Sequence, residues 1–183
     1  FKCRALVNWI NSVKKWPLSE KQQLMIRFNF ATIKLKQVKQ INMVKWEGVY
    51  PAMLTPFKAD DSVDFEFFGK NIKAQLDAGV SGLVVGGSLG EASTLTAEEL
   101  KHLIIYAKEE AKGLVPVIAG LAQQSTRDAI AAAQSAEANG ADGLMVLPPM
   151  RYKADDRETV EYYKAVAKST SLPIMVYNNP VDY

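Results

Sequence analysis

The sequence predicts an α/β protein, a (β/α)8 TIM barrel truncated after about its fifth strand. Three observations carry that expectation. From Met43 onward, short continuous apolar runs alternate with amphipathic helical stretches, the texture of successive βαβ units. The apolar runs do not alternate with polar residues, so each strand would be buried on both faces, as in a parallel sheet. And Ala78-Gly-Val-Ser-Gly-Leu-Val-Val85 returns as Asn139-Gly-Ala-Asp-Gly-Leu-Met-Val146, 61 residues later. That distance is two βα units of about 30 residues each. Five such units also suit a flavodoxin-like open sheet, but regular repetition without a reversal signal favours the barrel.

The elements follow in order. Residues 50–57 (Tyr-Pro-Ala-Met-Leu-Thr-Pro-Phe) read as the first strand, and 64–78 as a helix capped by Ser62 or Asp64. Residues 82–86 form the second strand. The helix over 96–112 has Thr96 as its cap and Glu99 three residues on, a capping box. Residues 115–119 form the third strand, followed by an alanine-rich helix over 125–139. Residues 143–147 form the fourth strand, and a helix from Asp155 or Asp156 runs to Ser169. Residues 172–177 form the fifth strand. Gly79, Gly113 and Gly140 mark helix ends, where a left-handed residue is needed.

Composition sets outer limits. With 48% hydrophobic and 23% charged residues among 183, the chain has neither collagen-like nor disordered bias. No run approaches the roughly 20 apolar residues that span a bilayer, so no membrane partner is expected. The single cysteine, Cys3, has no internal disulfide partner, which fits a reducing cytosol and a cytoplasmic protein.

The net charge of +2 conceals a division of the chain. Residues 1–42 carry nine Lys/Arg and one acid, Glu20, for a net of +8, whereas 43–183 carry a net of −6. The first stretch is therefore expected to be a basic extension outside the native domain, translated upstream sequence ahead of a true start at Met43. A targeting segment is a weaker match, because serines and arginines are few and no amphipathic repeat persists. A basic nucleic-acid arm is the third reading. No nucleic-acid partner is expected for 43–183.

In a parallel barrel the chemistry lies at the carboxyl ends of the strands. After the second strand comes Val84-Val-Gly-Gly-Ser-Leu-Gly-Glu91-Ala-Ser-Thr. Its glycines allow backbone N–H groups to approach an anion closely. Val85 stands where a dinucleotide fingerprint needs its first glycine, and no Gly-Lys-Ser/Thr follows, so neither nucleotide motif is present. Ser88 adds a hydroxyl, and Glu91 would brace the loop; a tight turn without a ligand explains the same residues. The fifth strand ends in Val176-Tyr177-Asn-Asn-Pro180, which places a phenol at the mouth, either packed or available as a proton shuttle. Pro180 restricts Asn179. His102, the sole histidine, falls on the helix over 96–112 as a surface or packing residue.

Gly87-Ser-Leu-Gly-Glu91 and Tyr177-Asn-Asn-Pro180, in register with 48–57 and 115–120, resemble the dihydrodipicolinate synthase/N-acetylneuraminate lyase family. The resemblance covers nearly all of 43–183. It implies a keto-acid lyase or aldolase in which a lysine forms a Schiff base with a 2-keto acid such as pyruvate. Tyr177 and Ser88 would be the catalytic hydroxyl relay. Gly87, Ser88, Leu89, Gly90, Glu91 and Thr55 would bind substrate, with N–H groups near Ser88 and Leu89 on its carboxylate. The resemblance implies no metal or other cofactor, a 2-keto acid as the small-molecule partner, and a homo-oligomeric parent, tetramer or dimer.

Two departures bear on the reaction. Leu89 stands where synthase members usually have a second hydroxyl, and Pro148-Pro-Met150-Arg-Tyr152 replaces their usual tyrosine pair. Both leave room for a related dehydratase, deaminase or sugar-acid lyase. Arg151 would meet a second acidic group or solvent. The imine lysine of the family lies about one βα unit, about 30 residues, past the tyrosine. That position is expected beyond residue 183, so the chain as written would be inert. A non-catalytic barrel piece acting in binding or assembly is the alternative of another class.

Overall fold

The computed structural model describes residues 44–149 and 154–178. Expectations for Cys3 and the basic stretch 1–42, for Met150, Arg151 and Tyr152, and for Asn179 and Pro180 lie outside the described residues.

Four strands form one parallel sheet in the order β1 (Leu83–Val85), β2 (Val117–Leu121), β3 (Gly143–Val146) and β4 (Ile174–Val176). The register pairs Val84 with Ile118, Ala119 with Leu144, and Met145 with Met175. Helix α1 (Phe65–Asp77) precedes β1, and α2 (Ala97–Ala111), α3 (Thr126–Ala138) and α4 (Asp156–Ser169) fill the crossovers. Each helix begins where a side-chain oxygen meets an orphan amide. Asp64 accepts from Phe67, and Ser125 from Asp128. Thr96 with Glu99 and Asp155 with Glu158 form reciprocal capping boxes. The Thr96 backbone and hydroxyl, both donating to Glu99, hold that carboxyl below its usual range. Gly79, Gly113 and Gly140 take positive φ, as expected at helix ends.

Two differences from the expected elements have a common cause. The segment 50–57 forms no extended strand, only a parallel bridge between Ala52 and Val84 and an antiparallel one between Phe57 and Val63. Pro51 and Pro56 remove two amide donors from it. Pairing survives where donors remain: Met53 N donates to Val84 O at 2.8 Å, and Val84 N to Pro51 O at 3.0 Å. Likewise β2 begins at Val117 rather than residue 115, just after Pro116, and extends to Leu121.

The sequential strand order has no reversal, and its two faces differ. Outward-pointing residues pack on the helices in two clusters. Leu83, Val85 and Val117 meet Phe68 and Ile72 of α1 and Leu103 of α2. Ala119, Leu121, Leu144 and Val146 meet Ala129, Ala133 and Ala136 of α3 and Val166 of α4. Burying a side chain the size of Phe68 or Ile72 contributes about 1.5–3 kcal/mol. The other face carries Val84, Ile118, Met145 and Leu147, against which Val44, Tyr50, Ala122 and Met175 pack. No helix residue belongs to that cluster, so the described residues form a sheet wound in one direction, not doubly wound.

Polar ties hold the ends of the sheet. At the start of β2 and β3, Asp142 accepts from Lys108 Nζ at 2.6 Å and from Val117 N at 2.8 Å. At the far end of β3, the Tyr162 hydroxyl of α4 donates to Leu147 O at 3.1 Å, and that of Tyr163 to Val146 O at 3.2 Å. Burial pushes the Tyr162 phenol up to about 12. Because the folded value lies above the ordinary one near 10, its contribution to stability is complete below about pH 10 and is lost as pH rises through 12. Tyr162→Phe, which leaves Leu147 O without this donor, should cost about 1–2 kcal/mol at pH 8. The gap to wild type should narrow between pH 10 and 12, measured by urea denaturation at each pH.

Candidate functional site

The sheet brings its most polar backbone to one edge, the carboxyl ends of the strands. Past β1, Gly86 turns at φ 70, where a Cβ would strike Leu100 Cδ1 at 2.4 Å. Gly87 is extended (φ −77, ψ −178) and leads into a 3₁₀ turn, Ser88–Gly90, that the sequence reading did not anticipate. Gly90 N donates to Gly87 O at 2.9 Å, Glu91 N to Ser88 O at 3.3 Å, and Ala92 N to Gly87 O at 3.3 Å. A turn of this kind leaves its first amides, those of Ser88 and Leu89, without an acceptor inside the turn. Both residues are exposed, Leu89 to 67%.

Glu91 closes the turn in the left-handed region at φ 62. Its carbonyl accepts from Thr94 N at 2.9 Å, Thr94 Oγ1 at 2.9 Å and Leu95 N at 3.2 Å. The main chain of Glu91 therefore braces the loop.

Three neighbours press on this loop. A Cβ on Gly120 of β2 would lie 2.6 Å from Gly86 O and 2.8 Å from Gly87 N, so only glycine lets the strand and the loop backbone approach this closely. A Cβ on Gly87 would meet Met145 Cε at an ordinary 3.5 Å, which places that thioether beneath the loop. From the segment before α1, buried Thr55 donates its hydroxyl to Gly90 O at 2.7 Å. A Cβ on Gly90 would stand 2.8 Å from Met53 O. The sequence proposed Thr55, Gly87 and Gly90 as substrate-binding residues but did not reveal the bond that joins Thr55 to Gly90. The contacts of Gly120 and Met145 were also missed. Only the absence of a side chain at Gly120, a strand-end position, hinted at the first.

Tyr177 follows β4 directly and continues its ladder, its amide donating to Val146 O at 2.9 Å. Strand alternation puts it on the face of Met175, the one shared with Val84, Ile118 and Met145 and free of helices. It is 42% exposed. The same Val146 carbonyl takes the Tyr163 hydroxyl, so α4 holds the strand end from which Tyr177 departs. Ser88 and Tyr177 thus lie at the same edge of the sheet, with β2 and β3 between their strands. His102 is on α2, exposed and 3.4 Å from Glu98, away from this edge. Among the described residues, no three His, Cys, Asp or Glu gather as metal ligands, and no helix is long and apolar enough to cross a membrane.

Known proteins resemble this chain in sequence and fold. Residues 45–182 match the profile of the Dihydrodipicolinate synthetase family. A 4-hydroxy-tetrahydrodipicolinate synthase of Chelativorans sp. (strain BNC1) is 44% identical over 135 residues, 74% of this chain and 46% of that protein. The crystal structure of dihydrodipicolinate synthase DapA-2 from Bacillus anthracis superposes with a TM-score of 0.74 at 34% identity, covering 76% of this chain and 48% of its own. Dihydrodipicolinate synthase from Acinetobacter baumannii, solved complexed with pyruvate, gives a TM-score of 0.73 at 33% identity, with 75% and 47% covered. The chain spans about half the length of the curated relatives it matches. A family profile that runs from the segment before α1 to beyond Tyr177, on a sheet of the same fold, leaves one conclusion: the chain belongs to the dihydrodipicolinate synthetase family.

Proposed function

We propose that this chain is the amino-terminal part of a (β/α)8-barrel lyase that acts on a 2-keto acid through a lysine Schiff base. The observation that carries the reading is the pair of amides on Ser88 and Leu89, at the carboxyl end of β1 and on the same edge as Tyr177. Pyruvate in the A. baumannii relative supports the substrate class. Relatives about twice as long support placing the lysine, and the strands that close the barrel, beyond Tyr183. The family profile begins at residue 45, which supports assigning residues 1–42 to an extension outside the lyase domain and 43–183 to the domain itself. The family resemblance also implies a cytoplasmic homo-oligomer.

The chemistry divides between the two parts. A deprotonated lysine amine adds to the ketone carbon, and loss of water leaves an imine whose electron demand activates the neighbouring carbon. In this chain, the Ser88 and Leu89 N–H groups receive the carboxylate, with Gly87, Gly90 and Glu91 giving the turn its shape. Amides already aimed at the anion need little reorganisation when it arrives. Tyr177 moves the proton to and from the departing oxygen, with the Ser88 hydroxyl as its relay partner. No step calls for a metal or an organic cofactor.

Leu89 favours a second reading of the reaction type. It retains an amide but supplies no hydroxyl, and Met150 stands where synthase members usually carry a tyrosine. Both changes remove polar partners for a second substrate and favour a dehydratase, deaminase or sugar-acid lyase of the same family. Turnover of a panel of aldehydes and keto acids by the full-length protein separates these from the synthase.

Borohydride reduction in the presence of pyruvate should label the full-length protein on a lysine C-terminal to Tyr183 and leave residues 1–183 alone unlabelled. Peptide mass mapping reads the site, and stoichiometric label within 1–183 would defeat the assignment. Tyr177→Phe in the full-length protein should lower turnover by roughly 10²–10³-fold while pyruvate affinity changes little. Wild-type turnover would remove the phenol from the relay. Gly120→Ala forces a methyl against Gly86 O and should weaken half-saturation by pyruvate about tenfold, with about 1–3 kcal/mol of lost stability. Unaltered half-saturation in a folded variant would show that the loop does not hold the carboxylate.

A further inference from the structure

The geometry points to Thr55 as a positioning residue, a clamp that holds the Ser88–Gly90 turn in its anion-receiving shape from behind, not a group that touches substrate. This rests on the reading of that turn as the carboxylate site.

Four observations carry the assignment. The Thr55 hydroxyl donates to Gly90 O at 2.7 Å, in a bond that joins residues 35 apart in sequence. Thr55 is 7% exposed, and it is the one polar residue buried among the described core. A buried hydroxyl bonded to a buried carbonyl is difficult to exchange for water, so its loss leaves an unmet acceptor.

The direction of the side chain is the second point. Met53, two residues earlier, packs with Val85, Phe68 and Ile72 on the helix-facing side. Thr55 shares the Met53 side, since both are buried, at 7% and 3% exposed, while Leu54 between them is 59% exposed. The hydroxyl therefore engages the loop from the helix layer.

Third, the turn is pressed against the same segment. Met53 O lies 2.8 Å from where a Gly90 Cβ would be, so Gly90 seats directly on the backbone that carries Thr55. Fourth, the bonded carbonyl belongs to the last residue of the turn whose first amides are the proposed carboxylate site. Gly90 O lies in the peptide whose N–H, on Glu91, donates to Ser88 O at 3.3 Å, so the Thr55 bond reaches the Ser88–Leu89 peptide, and with it the Leu89 amide, through one hydrogen bond. Because 50–57 is tied to β1 by little more than the Ala52–Val84 bridge, the Thr55 bond is also what joins this segment to the loop.

The test uses the full-length protein with Thr55→Val, which keeps the shape and removes the hydroxyl, and Thr55→Ser, which keeps the hydroxyl. In the ligand-free protein, amide exchange across 86–95 should be about fivefold faster in Thr55→Val, the effect of losing one buried hydrogen bond. Half-saturation by pyruvate in borohydride trapping should rise about fivefold with it, while kcat and its pH profile stay near wild type. Thr55→Ser should restore both exchange and half-saturation. Unchanged exchange in Thr55→Val overturns the clamp, and so does faster exchange with wild-type half-saturation. Serine behaving like valine would also overturn it, because the hydroxyl would then not be the agent. If the wild-type protein traps no pyruvate, the functional reading fails, whereas the exchange comparison still decides whether Thr55 holds the turn.

Discussion

The constraint on which the rest of the structure depends is that β1, β2 and β3 are buried on both faces, while β4 is only partly covered. Leu83, Val85 and Val117 meet helices, while Val84, Ile118 and Met145 meet one another on the opposite side. No polar side chain is tolerated inside such a strand without a bonded partner. Reactive groups are therefore excluded from the strands and collect where the strands stop. A parallel sheet stops all its strands at the same edge, so residues distant in sequence, Ser88 after β1 and Tyr177 after β4, come to the same end of the sheet.

That constraint explains which parts were legible in the sequence. A strand buried on both faces is a continuous apolar run, and the runs at 82–86, 143–147 and 172–177 each contain an observed strand, while 115–119 overlaps β2, which runs on to Leu121. The helix starts were legible too, because a cap is a local bond between a side chain and an amide three residues on, as at Thr96 and Asp155. The segment 50–57 was less so. It has a strand's composition, but its prolines leave it a single bridge to β1. Apolarity reports burial, and it reports hydrogen bonding only where every residue has a donor.

The site was legible as a set of residue types and not as a set of contacts. Three glycines after a buried strand announce close backbone approach, but not to what. The answer, Gly120 against Gly86 and Gly87 and Met53 against Gly90, depends on strand register across the sheet, which no local pattern encodes. Thr55 shows the same limit. It was proposed as a substrate-binding residue, yet only the fold reveals that its hydroxyl meets Gly90 O. Tyr162 and Tyr163 read as ordinary helix residues, and only packing aims their hydroxyls at the carbonyls below Tyr177.

These contacts give the site a division of labour between its walls and its reactive atoms. Gly120, Gly90, Met53 and Thr55 set where the loop backbone lies, and none of them needs to change charge or donate to a ligand. Backbone amides held this way act through their geometry, so their contribution is independent of the side chains at 88 and 89. That independence is why Leu89 is compatible with family membership. The amide of residue 89 remains in the turn whatever its side chain, so the proposed anion-receiving role does not depend on a hydroxyl there. What the substitution alters is the wall beyond the turn, where an exposed isobutyl group now faces the open edge of the site. In the proposed reading, the part of the site that would receive the carboxylate is written in glycines and in one buried threonine, and the part that would select the partner substrate is written in the exposed side chains around it. Divergence of reaction within the family would therefore act on Leu89 and its neighbours while leaving the Thr55–Gly90 bond untouched.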